Sequence, residues 1–378
     1  MGRRRWTSRD LCRLREALDL AARGGGQASP NPMVGAVLAH GNRIVGRGYH
    51  TRAGAPHAEI KALEQAGRRA RGATLYVNLE PCCHFGRTPP CVDALIAAGV
   101  SEVVACMRDP DRRVDGKGFR ALRAAGVSVR VGALRSRALN LNRRFLHEVR
   151  RGLPFVTLKA GMSLDGRIAT RGGQSKWITS PRARAAARLL RSRHDAVLVG
   201  VNTVLADDPR LRGPGAAGRR SPARVVLDAR LRTPRSARIL RGGGETIIFT
   251  LGGASVVRKR ALERAGAIVV QTPGRGGRLR LKAVLGELAR RGVRSVLVEG
   301  GSEVLGSALD QKIGDGVVLF VAGTILGGRG ALPAFGGLGP ARLGEAVRIE
   351  DLVVRRVGPD LMVRGRLRFP APTRRRRN

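Results

Sequence analysis

"HAEIKALEQA" at residues 57–66 and "LEPCCHFGRTPPC" at residues 79–91 decide how this chain is read. The second stretch holds Cys82, Cys83 and Cys91, three of the five cysteines among 378 residues. The first opens on His57 and Glu59, two positions apart. A disulfide, a closed structural metal clip and an open catalytic metal site all compete for these residues. Five cysteines in a chain this long is not a disulfide-rich composition, and no apolar leader segment stands ahead of the amphipathic run that follows "GRRR". Both features point to a reducing, cytoplasmic setting, in which an 82–91 disulfide is disfavoured.

The surroundings of these residues favour the metal. "MVGAVLAH" (33–40) and "RIVGRGYH" (43–50) read as strands about a His40-Gly41-Asn42 turn. A helix fits 57–70, a strand 74–80, a helix 92–99 ending at Gly99, a strand 102–107, a helix 118–126 and a strand 128–132. Strands alternating with helices predict an α/β sheet covered by helices. In that frame His57 opens a helix after Pro56, Cys82 follows the end of a buried strand, and Cys91 precedes a helix. Zinc accepts histidine nitrogen and cysteine thiolate, and a catalytic zinc keeps one position for water. His57, Cys82 and Cys91 supply three ligands and leave Glu59 to carry protons. The order H-x-E, then P-C, then a further Cys is that of zinc-dependent nucleobase deaminases. In such a site the metal makes hydroxide available near neutral pH, and the glutamate moves protons from water to the ring nitrogen and departing ammonia. Cys83 or His84 as a fourth ligand would instead close the site. Eight residues separate Cys82 from Cys91, where the general deaminase pattern has two.

A closing helix is expected at 135–147 and a linker at "EVRRGLP" (148–154), after which β/α alternation resumes. Strands are expected at 155–163, 196–200, 223–228, 246–250, 267–272, 295–300, 317–323 and 360–369, with helices at 181–193, 255–265 and 280–291 and a loop at 212–222. No G-x-G-x-x-G follows an early strand. The best anchor for a phosphate is "VLVEGGSEVL", a buried strand, Gly300-Gly301 and a helix opening at Ser302. Lys159 and Asp165 flank "AGMSL", and Asp207-Asp208 precede Pro209 in an expected loop. The net charge is +43, from 71 Lys+Arg against 28 Asp+Glu. The arginines are spread along the chain, denser only at "GRRR" and "TRRRRN", and aromatics are 3%, so stacking platforms for single strands are scarce. The charge reads as compositional bias rather than as a specific nucleic-acid site. No apolar run reaches 18 residues, so no membrane partner is expected.

"PNPMVGAV", "GYHTRAGAPHAE" and "LEPCCHFGRTPPCVDALIAAGV" resemble the deaminase half of the bifunctional riboflavin-biosynthesis deaminase/reductases. "LKAGMSLDGRIAT", "SKWITS", "GVNTVLADDPRL" and "VEGGSEVLGSAL" resemble their reductase half. The resemblance implies a cytidine-deaminase-like zinc domain over 1–147, followed by a dihydrofolate-reductase-like, NADPH-dependent domain over 154–370. It implies deamination of a 2,5-diamino-6-ribosylamino-pyrimidinone 5′-phosphate, then reduction of the ribosyl group of the resulting uracil to ribityl. His57, Cys82 and Cys91 would hold zinc, Glu59 would carry protons, and Asn31 would contact the pyrimidine. In the second half Lys159, Asp207 and Glu299 are the catalytic candidates. Ser175, Arg191, Leu211, Arg212 and Glu299 fall to the substrate, with Arg191 suited to its phosphate. Gly161, Trp177, Thr203, Asp207, Gly300 and Gly301 fall to the cofactor. After "DDPRL" the family continues with a Thr-x-Arg-like stretch, whereas this chain has "RGPGAAGRR", leaving Arg210 or Arg212 to substitute. A homo-oligomer, dimer or tetramer, formed through the reductase half is also implied. Two rivals remain: a zinc deaminase of another base with a degenerate C-terminal half, and a basic nucleic-acid-binding protein with four protein ligands on zinc.

Overall fold

The structure is a computed structural model that describes residues 6–86, 89–213 and 221–370. The "GRRR" and "TRRRRN" clusters and residues 214–220 of the expected loop lie outside the described residues. The chain parts between Gly152 and Leu153 into two compact units.

The first unit runs α1 (Ser8–Arg23), β1 (Gly35–His40), β2 (Arg43–Tyr49), α2 (Ala58–Ala66), β3 (Thr74–Val77), α3 (Cys91–Ala97), β4 (Glu102–Ala105), α4 (Lys117–Ala124), β5 (Ser128–Val131), α5 (Arg135–Leu141) and α6 (Arg143–Arg151). Its sheet has the order β2-β1-β3-β4-β5, with β1 antiparallel to both neighbours and β3, β4 and β5 parallel. Alternation along each strand feeds two cores. Leu38, Leu75, Val77, Val103 and Ala105 face α2, α3 and α4, while Val37, Tyr76 and Val104 pack towards α1, α5 and α6. Small residues let the helices sit close. A Cβ on Gly46 would lie 2.1 Å from the Ala62 carbonyl oxygen, and one on Gly48 2.1 Å from that of Ala58. This contact holds the first turn of α2, and with it Glu59, against the sheet.

The expected helix over 57–70 ends as α-helix at Ala66; Gly67, at φ 55°, passes the chain into a 3-10 turn, Gly67–Ala70. The closing helix is two helices rather than one. It breaks at Asn142, whose buried side chain accepts from the Met33 N–H (2.8 Å) and donates to the Met33 carbonyl (2.9 Å). α6 then continues through the expected linker to Arg151, and Gly152, at φ 66°, ends it.

The second unit runs β6 (Phe155–Met162), β7 (Arg167–Ala169), α7 (Pro181–Arg191), β8 (Ala196–Gly200), α8 (Val201–Asp207), β9 (Ala223–Leu227), β10 (Thr246–Thr250), α9 (Val256–Arg264), β11 (Ala267–Gln271), β12 (Gly274–Arg275), β13 (Arg278–Leu279), α10 (Leu281–Arg290), β14 (Ser295–Val298), α11 (Ser302–Asp310), β15 (Gly316–Val321), β16 (Leu332–Pro333), β17 (Arg348–Val357) and β18 (Asp360–Arg368). A nine-stranded sheet has the order β11-β10-β9-β8-β14-β6-β15-β18-β17. The first seven in that order are parallel, and β18 and β17 close the edge as an antiparallel hairpin. Asp207 is not in a loop as expected: it is the last residue of α8, and Asp208, at φ 41°, ends that helix. Ligands of open parallel sheets bind beyond the carboxyl ends of the strands. Lys159 and Gly161 of β6, Thr203 after β8, and Glu299–Gly301 after β14 stand at that edge.

Candidate active sites

In the first unit His57, Cys82 and Cys91 come together from a helix start, a strand-end loop and a second helix start. Their donor atoms all lie within 4.8 Å of one another. His57 Nδ1 is 3.2 Å from Cys91 Sγ and 3.5 Å from Cys82 Sγ. A tetrahedral zinc with ordinary Zn–N and Zn–S bonds holds such a pair about 3.5 Å apart, so the donor set fits zinc in kind and in spacing. The Cys91 backbone N–H also points at Cys82 Sγ (3.3 Å), and the Cys82 carbonyl accepts from Val92 (3.1 Å). Hydrogen bonds from Cys91, together with His57, draw the Cys82 thiol well below its ordinary value, towards the thiolate that a metal needs. Cys83 does not close the site. Its Sγ turns to the Arg113 carbonyl at 3.8 Å, and neither Cys83 nor His84 joins a three-ligand group among the described residues.

Glu59 sits in the first turn of α2, 4% exposed and hydrogen-bonded to Cys91. Burial, reinforced by the Cys82 thiolate, pushes its carboxyl up to about 7. A buried carboxyl poised near neutrality beside the metal donors is suited to taking and returning protons. Sequence reasoning gave His50 no role, although it ends the 43–50 strand and stands in "GYHTRAGAPHAE". It is 2% exposed and its ring meets that of His57 edge-on at 5.3 Å. Its Nδ1 faces the Pro56 carbonyl (3.3 Å) and its Nε2 the Asn31 amide nitrogen (3.0 Å). Those partners assign Nδ1–H as donor and Nε2 as acceptor. Burial holds the imidazole below its ordinary pKa, in the neutral form this pairing needs. Asn31 therefore reaches the metal centre through His50. Glu80, also missed, is buried and accepts from the Asp109, Gly116 and Phe119 N–H groups (3.0–3.1 Å), fixing the loop after β4.

In the second unit Lys159, Arg191 and Glu299 form one cluster. The Glu299 carboxylate is nearly buried and accepts from Arg191 Nε (2.6 Å) and Nη2 (2.9 Å), with Lys159 Nζ at 3.6 Å. Burial alone would raise its pKa; Lys159 and Arg191 override that and hold it below the ordinary value. Arg191 directs its fork at Glu299 and its Nη1 at the Arg212 carbonyl (3.2 Å). Arg212 itself turns away to the Arg241 carbonyl (3.0 Å), and the Leu211 side chain, 3% exposed, packs in the core.

A second cluster joins Ser175 to Asp207. Ser175 Oγ reaches Asp207 Oδ1 at 3.5 Å, and Lys176 Nζ, not foreseen, lies 3.3 Å from the same oxygen. Thr203 Oγ1 overhangs Gly300 and Gly301, where a Cβ would lie 3.1 and 3.3 Å from it. Gly301, at φ 68°, has a backbone that glycine favours, and it opens α11. Gly161 lies under the Thr179 methyl, 3.4 Å from where a Cβ would stand. Trp177 is not core: it is 69% exposed. Asp165 fixes a loop by accepting from Leu326 (3.0 Å) and Gly327 (2.8 Å).

Residues 154–363 match the family model of the RibD C-terminal domain, and residues 8–107 that of the cytidine and deoxycytidylate deaminase zinc-binding region. The riboflavin biosynthesis protein RibD of Bacillus amyloliquefaciens is 42% identical over 348 residues, covering 91% of this chain and 93% of that protein. That of Escherichia coli is 41% identical over 364 residues, covering 91% and 96%. Among solved structures, Acinetobacter baumannii RibD superimposes with a TM-score of 0.86 at 36% identity, covering 95% of this chain and 99% of that one. A Thermotoga maritima diaminohydroxyphosphoribosylaminopyrimidine deaminase/5-amino-6-(5-phosphoribosylamino)uracil reductase gives 0.83 at 34%, covering 95% and 98%. The chain belongs to the RibD family of riboflavin-biosynthesis proteins, a zinc-binding deaminase domain followed by a RibD C-terminal reductase domain.

Proposed function

We propose the following division of labour in this bifunctional enzyme of riboflavin biosynthesis. The first unit hydrolyses the 2-amino group of 2,5-diamino-6-ribosylamino-4(3H)-pyrimidinone 5′-phosphate. The second reduces the ribosyl group of 5-amino-6-(5-phosphoribosylamino)uracil to ribityl. One observation carries the reading: three donors spaced for a zinc with an open position, beside a buried glutamate. His57, Cys82 and Cys91 hold the metal, and zinc there supplies water activated near neutral pH. Glu59 takes a proton from the attacking water and delivers protons to the ring nitrogen and to the leaving ammonia. Asn31, held in place by the neutral His50, orients the pyrimidine by hydrogen bonds.

In the second unit NADPH supplies the hydride to C1′ of the opened ribosyl group. Lys159, held by Glu299, moves the proton that ring opening and reduction require. Arg191 keeps Glu299 ionised and fixed. Ser175 and Asp207 bind at the rim, and Thr203, Gly300 and Gly301 leave room for the cofactor's phosphates at the start of α11. The buried Lys159–Glu299–Arg191 cluster and the family match over 154–363 disfavour a degenerate second half.

The enzyme acts in the cytoplasm on a small phosphorylated pyrimidine, without a specific nucleic-acid or membrane partner. Among the described residues no helix is long and apolar enough to cross a membrane. It assembles as a dimer or tetramer through the reductase unit, a reading supported by Ile349, Leu352, Val354 and Leu361 standing exposed on the β17–β18 edge hairpin. The deciding experiment gives zinc-quantified protein the diaminopyrimidinone ribosyl phosphate, first without and then with NADPH. Ammonia release followed by NADPH oxidation is expected. Ammonia without oxidation confines the activity to the zinc unit, and bound zinc without ammonia defeats the assignment.

A further inference from the structure

Trp177 is 69% exposed, yet it is not loose. The Arg184 guanidinium carbon lies 4.3 Å from the centre of its ring. Arg184 is in turn anchored, because its Nη1 donates to the Thr179 carbonyl at 2.6 Å. The Thr179 methyl covers Gly161, near the carboxyl end of β6. One face of the indole is therefore backed by a fixed cation, at the strand edge where Lys159 and Glu299 stand. An exposed indole stiffened from behind is suited to stacking a planar ring on its free face. We propose that Arg184 is a positioning residue for the reductase: it holds Trp177 as the platform on which the cofactor's nicotinamide end stacks, and Thr179 ties that platform to Gly161. The inference rests on the reductase reading of this unit.

The backing cation also has a sign. Arg184 draws electron density away from the exposed indole face, so a neutral dihydronicotinamide is favoured there over a cationic nicotinamide. The platform thereby favours the reduced cofactor and speeds loss of the oxidised one.

The test compares Arg184→Met, Arg184→Lys and Trp177→Ala with the parent enzyme. The measurements are reductase KM for NADPH, KM for the uracil substrate, kcat, and Kd for NADPH and NADP+ from quenching of tryptophan fluorescence. Arg184→Met is expected to raise KM for NADPH about threefold to thirtyfold, the range of a partly desolvated cation–π contact. The uracil KM and the kcat at saturating NADPH should stay within about twofold, since no reacting atom is touched. The ratio of the NADP+ to the NADPH Kd should fall in Arg184→Met, and Arg184→Lys should recover part of the loss. Equal loss of kcat and of both KM values, with a lowered melting temperature in Arg184→Met and no recovery in Arg184→Lys, would make Arg184 merely structural and overturn the proposal. An unchanged NADPH KM in Arg184→Met alongside a raised one in Trp177→Ala also overturns it while leaving the platform standing. If Trp177→Ala changes nothing, Trp177 is not at the cofactor. If the parent enzyme oxidises no NADPH with the uracil, the reductase reading itself has failed.

Discussion

Replacing Glu59 by glutamine should remove deamination and yet stabilise the metal-free first unit. Glu59 is buried, and burial raises its carboxyl from 4.5 to about 7. In the unfolded chain the same group titrates near its ordinary value, so the folded state binds the proton more tightly. The sign follows: this group costs nothing well below pH 4.5, costs more as pH rises through that value, and the cost levels off above about 7. Integrating between those two values gives a cost of about 1 kcal/mol at pH 5 and about 3 kcal/mol at pH 7. Glutamine has nearly the same shape and never ionises, so it removes that cost. Denaturant melts of the parent and Glu59→Gln, both stripped with chelator and followed through the zinc-sensitive transition, should diverge by about 2 kcal/mol between pH 5 and pH 7. Restoring zinc places a divalent charge beside the carboxyl, which draws its pKa back down and narrows the gap. Ammonia release should meanwhile fall by about 10²–10⁴-fold, the usual contribution of a positioned proton carrier, with zinc content unchanged. A stability difference flat from pH 5 to pH 7 would refute the burial argument. Near-parental turnover would refute the catalytic one.

Cys91→Ser exchanges a thiolate for a weak ligand. Zinc should drop well below about one per chain, and the first unit's melting transition should fall, with NADPH oxidation partly surviving; equal loss of both activities would show that the units fold together. Glu299→Gln leaves Lys159 and Arg191 without their buried counter-charge, so the second unit should lose about 3–5 kcal/mol in denaturant melts, together with its reductase turnover. An unchanged melt would mean the cluster is better hydrated than its burial indicates. Asp10 gives an acid-range prediction. Burial would raise its carboxyl, but Arg130, with Thr7, overrides that and holds it at about 2. Its contribution is therefore complete above about pH 4 and is lost as pH falls towards 2. Asp10→Asn should flatten the first unit's loss of stability across that window; an unaltered acid melt would show that Arg130 does not govern Asp10.

The zinc donors were legible because their chemistry is local. His57 caps α2, Cys91 opens α3 and Cys82 stands in the loop that follows β3, and element type and order follow from apolar periodicity. His50 was not legible, because one histidine at a strand end carries no pattern, and its meaning comes from the 5.3 Å approach to His57. β17 escaped notice for a similar reason. Its alternation is broken by an irregularity between Glu350 and Val353, with Asp351 at φ 53°, so a period of two does not run through it. α8 is seven residues of which three are β-branched, too short and too mixed to show a helical period.

Arg191 exposes the deeper limit. In the sequence it is one arginine in a run with Arg182, Arg184, Arg188 and Arg193, and the type of side chain suggested a phosphate ligand. The fold separates that run by function. Arg184 backs an exposed indole, whereas Arg191, at the end of α7, turns inward to a carboxylate 108 residues away. A guanidinium's role is set by what it meets, and both partners here arrive through the sheet. The carboxyl end of β14 lies beside the middle of β6, with Val298 opposite Leu158, which puts Glu299 next to Lys159 before any substrate is present. Sequence could therefore name all three members of the cluster without showing that they form one. The composition sharpens the point. With 71 basic residues against 28 acidic ones, most arginines have no carboxylate to meet. Three donors from two cations directed at one nearly buried glutamate are thus a specific arrangement that charge bias does not explain.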